Sequence, residues 1–197
     1  IGTAVIDMRY ENPFYMAEDA GAADLIAGGR LQLGISRGSP EQVIDGFRHF
    51  GYGPADGETD ADMARRHAEL FLALLSGDGF AQPNPRPMFP NPPGLLRLEP
   101  FSEGLRQRIW WGAATDATAV WAATLGMNLQ SSTLKFDEGG EPLHVQQARQ
   151  IQPQRRRGDG RVAFVGRGLG GRRGGLARSG ASLGRGQGVE LGGREVA

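Results

Sequence analysis

Three short stretches of this sequence combine small residues with groups that can bind an anion, and each directly follows an apolar segment. They are Ser36-Arg37-Gly38, the segment 113–118 with Thr115 and Thr118, and the polar segment 130–133. An arginine offers a planar, permanently charged fork to a phosphate, and the backbone N–H groups at a helix N-terminus attract anions as well. If the apolar segments are parallel strands, all three stretches lie at the carboxyl edge of one sheet, where such folds bind ligands.

Each stretch also has a purely structural interpretation. Arg37 could form a structural salt bridge, and residues 130–133 could be a solvated loop. Thr115 or Asp116 could simply cap the helix that follows them. The residue types alone leave both kinds of interpretation open.

Hydrophobic periodicity predicts the elements that would position these stretches. Residues 1–8 and 30–37 are predicted strands, and between them a helix begins near Pro13 and ends before Gly28. The apolar face of this helix is predicted to contain Met16, Ala20, Ala23, Ile26 and Ala27.

A second helix is predicted to begin at the capping pair Thr59 and Asp62 and to end at Gly77. Its apolar stripe is predicted to contain Met63, His67, Leu70, Phe71, Leu74 and Leu75. Residues 81–100 hold seven of the twelve prolines, so we predict an extended surface insertion there.

The remaining pattern continues the alternation of strands and helices. It predicts a strand at 109–112, a helix at 116–125, a strand at 127–131 and a weaker helix at 142–151. Strands that alternate with helices of this length indicate parallel βαβ units. Four strands and four helices within residues 1–151 fit half of a (β/α)8 barrel or a small doubly wound sheet, and their number does not separate the two.

Composition divides the chain at Ile151. The whole chain has 22 basic and 22 acidic residues, but residues 152–197 hold ten Arg, three acidic residues and fourteen of the 32 glycines. A segment with so few apolar residues cannot build a core, so we predict a disordered Gly/Arg-rich tail. Arg, Gly and Ala are also expected when GC-rich coding DNA is read out of frame, which makes a frameshift one explanation of the tail.

Several function classes lose their support. The absence of cysteine excludes disulfides, thiol nucleophiles and thiolate metal sites. The three histidines have no ligand spacing, and His67 lies on the apolar stripe, so we assign no metal and expect a core histidine. No P-loop is present. No apolar run approaches the about 20 residues of a membrane span, so we expect no membrane contact. The absence of cysteine suits a reducing compartment, so we expect a cytoplasmic protein.

Eight blocks of sequence stand in a fixed order along residues 1–151. They are Gly2-Thr3-Ala4-Val5, Asn12-Pro13, Ala17-Glu18-Asp19, residues 29–38, Phe50-Gly51, residues 110–114, residues 117–123 and Gly126-Met127. In order and spacing these blocks resemble the bacterial luciferase-like flavin-dependent monooxygenases. The resemblance implies a (β/α)8 TIM barrel that binds reduced FMN at the carboxyl ends of its strands. This chain would be a fragment with about strands three to six, and residues 152–197 would lie outside the family.

The resemblance also implies site residues. The positions that match the family's phosphate site are Arg37, Arg65, Ala114, Thr115 and Thr118. Periodicity places Arg66 nearer the apolar stripe than Arg65, so Arg66 is the substitute candidate. Ser36 matches a position beside the isoalloxazine ring, and a non-proline cis peptide would fall at Ala4-Val5. The catalytic residue is unknown, because relatives supply a histidine from a strand that precedes this chain.

The function implied is that of a monooxygenase that uses reduced FMN and O2 to oxidise a small organic substrate, with a flavin reductase as the source of reduced FMN. The full-length protein is expected to be a homo-oligomer, and the chain alone to be inactive. Two alternatives stay open: a deazaflavin-dependent oxidoreductase of the same superfamily, and a small α/β domain whose tail binds nucleic acid. The single aromatic residue of the tail, Phe164, argues against the second.

Overall fold

In the part of the chain that the structure describes, five parallel strands form one sheet whose spatial order follows the chain. The structure, a computed structural model, describes residues 1–38, 43–132, 140–141, 144–147, 149 and 162–165. The strands are β1 (Ile6–Asp7), β2 (Leu33–Ser36), β3 (Ile109–Ala113), β4 (Asn128–Ser132) and β5 (Val162–Val165). Each strand pairs in parallel with the next one along the chain. The parallel α/β arrangement predicted from the sequence is therefore confirmed.

Helices connect the strands and begin at side-chain caps. They are α1 (Pro13–Ile26), α2 (Asp60–Leu74) and α3 (Asp116–Thr124), with short 3₁₀ helices at Gly46–Phe50 and Arg106–Arg108. The Asn12 side chain accepts a hydrogen bond from the N–H of Phe14 at the start of α1. Reciprocal capping boxes open α2 and α3. Since these caps satisfy N–H groups that the helix cannot, they fix where each helix begins.

One face of the sheet is buried against the helices. Alternate strand residues point to that face and share one apolar cluster with α1, α2 and α3; they are Leu33, Ile35, Ile109, Trp111, Ala113 and Leu129. The opposite face carries small and polar residues such as Gly34 and Gln130. A Cβ on Gly34 would lie 2.5 Å from the carbonyl oxygen of Thr3, so glycine lets the segment before β1 approach the sheet.

Helix α1 buries a different face from the one that its apolar residues predict. Met16 and Ala20 are buried, but Ala23 is exposed and Ile26 is 88% exposed, whereas Asp24 is fully buried. The Asp24 carboxylate accepts hydrogen bonds from the Leu31 N–H and from side chains that follow the insertion. This polar anchor, rather than apolar contact, sets the rotation of the last turn of α1.

Helix α2 follows its predicted stripe with one exception. Met63, His67, Phe71 and the two terminal leucines of the stripe are buried, whereas Leu70 is 38% exposed. Residues 81–100 are largely exposed and irregular, as predicted, and an antiparallel bridge joins Ala81 to Leu96. None of the helices in the described ranges is long and apolar enough to cross a membrane.

Strand β5 lies within the segment that composition assigned to a disordered tail. Val162-Ala163-Phe164-Val165 is a β-branched and aromatic run, which favours a strand beside β4. The predicted disorder therefore does not hold for these four residues, because a local apolar run outweighs the composition around it. Residues 152–161 and 166–197 lie outside the described residues. Residues 144–147 and 149 are helical, within the predicted helix at 142–151.

Candidate functional site

The carboxyl ends of the first three strands lie side by side and carry three of the predicted site residues. Ser36 ends β2 and pairs in register with Asp7 at the end of β1. A Cβ added to Gly112 of β3 would lie 3.2 Å from the Ser36 Cβ, so Ser36 faces β3. Arg37 follows β2 directly and Ala114 follows β3 directly. Ser36, Arg37 and Ala114 therefore lie at neighbouring strand ends on one edge of the sheet.

Each of the two predicted arginines pairs with an aspartate in the first turn of α2. Arg37 Nη1 lies 3.7 Å from Asp60 Oδ2, and Arg65 forms an ion pair with Asp62 through Nη2. Asp60 and Asp62 are both in that first turn. The side chains of Arg37 and Arg65 are 44% and 31% exposed, so both guanidinium groups remain partly open to solvent.

Arg66, the substitute candidate, is occupied elsewhere. Its Nε and Nη2 donate to the two carboxylate oxygens of Glu58 at 2.9 and 3.0 Å, and its side chain is 49% exposed. Arg65 is the less exposed of the two arginines, contrary to the helical periodicity argument. The α2 backbone thus places Arg65, not Arg66, closer to the body of the protein.

Hydrogen bonds keep the carboxylates beside Arg65 and Arg66 ionised. Hydrogen bonds from the Thr59 hydroxyl and N–H, and then from Arg65, lower the pKa of Asp62 to about 2. Hydrogen bonds from Arg66 and from a backbone N–H lower the pKa of Glu58 to about 2. At neutral pH both arginine charges are therefore offset by a neighbouring carboxylate. Arg37 has a longer ion pair than Arg65 and Arg66, so it is the arginine that an incoming anion can reach most easily.

A buried arginine, which the sequence analysis did not single out, links the same elements. Arg9 is 5% exposed; its Nε and Nη2 donate to Asp7 at 3.0 and 2.6 Å, and its Nη1 donates to Asp60 Oδ2 at 3.0 Å. A Cβ on Gly38 would lie 1.9 Å from Asp7 Oδ2 and 2.9 Å from Arg9 Nη2. The signal in the sequence was the Asp7-Met8-Arg9 charge pattern directly after a strand.

The N-terminus of α3 is the second part of the edge. Thr115 Oγ1 accepts from the Thr118 N–H at 3.3 Å, and Thr118 Oγ1 accepts from the Thr115 N–H at 3.4 Å. This capping box confirms the structural interpretation of Thr115 as a cap. The capping box does not include the N–H of Ala117. Ala114 and Thr115 are exposed, so small residues surround the start of α3. The geometry thus keeps the features of an anion site beside those of a cap.

A contact between the two helices brings their N-termini to the same side. Trp121 Nε1 of α3 donates to Glu69 Oε1 of α2 at 3.1 Å. Arg65 precedes Glu69, and Thr118 precedes Trp121, by about one helical turn each. Arg65 and Thr118 therefore both lie on the N-terminal side of this contact, toward the carboxyl ends of the strands.

The histidine of the predicted apolar stripe is surrounded by contacts that belong to the core. His67 is buried, its Nδ1 lies 2.9 Å from the Met8 carbonyl oxygen, and Tyr52 packs on its ring, so it is the expected core histidine. Because the carbonyl can only accept, Nδ1 carries the proton. Within the described ranges, no group of three or more His, Asp or Glu side chains could hold a metal ion.

Neighbouring side chains of the third polar stretch, residues 130–133, point to opposite faces of the sheet. Buried Ser131 donates to Gln147 on the helical side, whereas Gln130 Oε1 would lie 3.0 Å from a Cβ on Gly34 on the other face. Position 133 lies outside the described residues. The Ala4-Val5 peptide bond is cis, as the resemblance implied.

Comparison with known proteins agrees with this parallel α/β architecture. The monooxygenase RslO1 from Streptomyces bottropensis superposes with a TM-score of 0.60 at 17% identity, covering 83% of this chain and 48% of that chain. Apo-MsnO8 superposes with a TM-score of 0.51 at 19% identity, covering 78% of this chain and 40% of that chain. At these identities the likeness shows the fold alone, which is TIM-barrel-like. The chain spans about half the length of the solved structures that it matches, and no curated protein sequence matches it.

The family is shown by sequence. The model of the luciferase-like monooxygenases matches residues 1–168, so the chain belongs to the luciferase-like monooxygenase family. The match continues past Ile151, where composition placed the boundary, and includes β5. Part of the segment predicted to be foreign to the family therefore belongs to the matched region.

Proposed function

We propose that this chain supplies the phosphate-binding edge of a monooxygenase that uses reduced FMN and O2 to oxidise a small organic substrate. The observation that carries the proposal is that Arg37, Arg65 and the N-terminus of α3 all lie on the side of the sheet where the strands end, with both arginines paired to the first turn of α2. These three groups differ in chemistry, since Arg37 and Arg65 are cations and the N-terminus of α3 offers neutral backbone and hydroxyl groups. Together they match what a phosphate monoester needs: charge, several donors and little steric hindrance.

Each residue has a distinct part in holding the phosphate. Arg37 can leave its long ion pair with Asp60 and donate to phosphate oxygens, because its side chain is nearly half exposed. Arg65 adds further hydrogen-bond donors, and Asp62 holds its side chain in place. Ala114 lets the anion approach the start of α3, where Thr115 and Thr118 keep the first turn ordered.

The flavin ring would lie over the small-residue face of the sheet. Glycine at position 112 lets Ser36 and Val5 pack close to β3 on that face, since a Cβ there would crowd both. When bound, reduced flavin supplies the electrons that activate O2 for transfer of one oxygen atom to the substrate. The protein's own contribution is to bind the phosphate, orient the ring and limit the access of water. No acid or base is assigned.

The proposed partners follow from this chemistry. A flavin reductase provides reduced FMN, the substrate is a small organic molecule, and the assembled protein is a homo-oligomer. We do not propose a role for nucleic acid, because the tail that would bind it has a single aromatic residue, Phe164, for base stacking.

Binding of FMN and of riboflavin, which lacks the phosphate, tests the proposal. The purified 197-residue chain is titrated with each flavin by fluorescence in the oxidised form, and by anaerobic difference absorbance in the reduced form. We expect FMN to bind at least about tenfold more tightly than riboflavin, since only FMN can use charge-assisted hydrogen bonds to the edge. Equal affinities would contradict the proposed site. Stronger binding of a deazaflavin cofactor than of FMN would favour the deazaflavin-dependent alternative.

A further inference from the structure

Resting on the function proposed above, we propose that Arg9 is a positioning residue of the phosphate-binding edge. Its buried guanidinium ties the end of β1, the end of β2 and the first turn of α2 into one unit, and so determines where Arg37 and Arg65 stand. Arg9 itself does not touch the phosphate in this assignment.

The first link joins Arg9 to its own strand. Asp7 ends β1, and its carboxylate receives Nε and Nη2 of Arg9 in a two-pronged pair. The Asp7 Oδ1 oxygen also accepts the Arg9 backbone N–H at 3.0 Å. Because the pair is held at backbone and side chain together, the guanidinium has a fixed direction.

The second link joins Arg9 to α2. Arg9 Nη1 donates to Asp60 Oδ2 at 3.0 Å, and Arg37 Nη1 lies 3.7 Å from the same oxygen. Asp60 is the first residue of α2, and Arg65 lies a little more than one turn further along that helix. A displacement of Asp60 therefore moves both arginines that are proposed to bind the phosphate.

The third link joins the pair to the end of β2. Gly38 has φ +90° and approaches Asp7 so closely that any Cβ would overlap the carboxylate. Gly38 also follows Arg37 directly, and its N–H donates to Ser36 Oγ at 2.7 Å. The Asp7–Arg9 pair thus forms the surface against which the backbone on both sides of Arg37 is placed.

The planar fork of arginine is essential to these three links. A lysine keeps the charge but has a single ammonium group, so it cannot serve two carboxylates with the same fixed geometry. Arg9→Lys therefore separates position from charge. Arg48 provides a matched control, because the guanidinium groups of Arg9 and Arg48 both lie over the Phe47 ring, at 5.9 and 5.8 Å from its centroid. Unlike Arg9, Arg48 is 59% exposed and pairs with Asp45.

The test compares FMN with riboflavin in the 197-residue chain. We expect Arg9→Lys to weaken FMN binding about tenfold and to leave riboflavin binding unchanged, because only FMN has the phosphate. Arg48→Lys should change neither affinity. Equal losses for both flavins would show a general structural role and overturn the proposal, as would an unchanged affinity for FMN.

A double-mutant cycle tests whether Arg9 acts through Arg37. In the Arg37→Ala background, Arg9→Lys should reduce FMN affinity by clearly less than it does in the wild type, since the group that it positions is gone. Fully additive losses would contradict the assignment.

A second variant covers the case in which Arg9→Lys does not fold. The double variant Asp7→Asn with Arg9→Gln removes both charges of the buried pair, and the same FMN-selective loss is expected.

The comparison of the two flavins also separates failure of the phosphate site from failure of the role of Arg9. If the wild-type chain binds FMN no better than riboflavin, the phosphate site itself is wrong and the role of Arg9 fails with it. A wild-type preference for FMN that survives Arg9→Lys overturns the role of Arg9 alone.

Discussion

The sheet has a buried arginine–carboxylate cluster at each of its two edges, and the two clusters are built in opposite ways. At the carboxyl edge a buried cation, Arg9, is surrounded by carboxylates. At the amino edge a buried anion, Asp24, accepts from the Leu31 N–H at 2.9 Å and the Ser102 hydroxyl at 2.6 Å, and it pairs with Arg108.

The difference lies in what each cluster leaves accessible. Asp24 is fully buried and its partner Arg108 is 22% exposed, so the amino-edge cluster is closed to ligands. Burial acts to raise the pKa of Asp24, but the hydrogen bonds from Ser102 and Leu31 and the charge of Arg108 lower it overall. The carboxyl-edge cluster instead ends in Arg37, which is held by one long ion pair. The first arrangement serves stability, and the second leaves a cation available for binding.

The largest expected effect is the loss of stability in Asp24→Ala. This change leaves Arg108 and two donors without their partner, and breaking a buried pair in this way costs about 3–5 kcal/mol. Urea unfolding of the 197-residue chain measures the free energy. Asp45→Asn, which alters the exposed pair with Arg48, should cost no more than about 1 kcal/mol. Similar losses in the two variants would remove the distinction between closed and open clusters.

The next largest effect is on FMN binding in Arg37→Ala. The phosphate loses a charge-assisted partner, so we expect a cost of about 1.5–3 kcal/mol, or tenfold and more in affinity. Fluorescence titration measures the affinity. Arg30→Ala is the matched control, because Arg30 is an exposed arginine that precedes β2 at the opposite edge of the sheet. An equal loss in both variants would point to net charge rather than to a site.

Thr118→Val should have a smaller effect on the same affinity. Removal of one neutral hydrogen-bonding group costs on the order of 1 kcal/mol, about fivefold in affinity. The control is Thr124→Val, which changes an exposed threonine at the other end of α3. FMN binding that is unaffected by Thr118→Val would restrict α3 to the role of a structural neighbour.

The smallest effect is the acid sensitivity contributed by Asp62. Hydrogen bonds from Thr59 and Arg65 hold the pKa of Asp62 at about 2, below its value of about 3.9 in an unfolded chain. The stabilisation is therefore present above pH 4 and is lost as the pH falls from about 4 to 2. Urea unfolding at several pH values should show a shallower acid loss in Asp62→Asn than in the wild type. Asp56→Asn, outside the capping box, should behave as the wild type does.

Much of the fold could be predicted from the sequence because it is governed by local patterns. Alternating apolar residues and capping pairs such as Thr59 with Asp62 located four strands and three helices, and the resemblance gave the family. The clusters could not be predicted, because their partners are far apart along the chain: Arg9 and Asp60 are separated by 51 positions, and Asp24 and Arg108 by 84. Periodicity treats such charged residues as solvent-facing, which is why it assigned the exposed Ile26, rather than Asp24, to the buried face of α1.

The bridge at the base of the proline-rich insertion makes the loop above it a separate module. The Leu96 carbonyl accepts from the N–H groups of Phe80 and Ala81 at 3.0 Å, and the Leu96 N–H donates back to Ala81 at 2.8 Å. With its two ends pinned, the span 82–95 can change length at low cost, since each doubling of a flexible loop adds only about 0.6 kcal/mol. We expect a flexible peptide grafted between Asn84 and Pro93 to leave the midpoint of urea unfolding nearly unchanged. This loop is thus a place where the sequence can diverge, or carry an inserted tag, without disturbing the sheet.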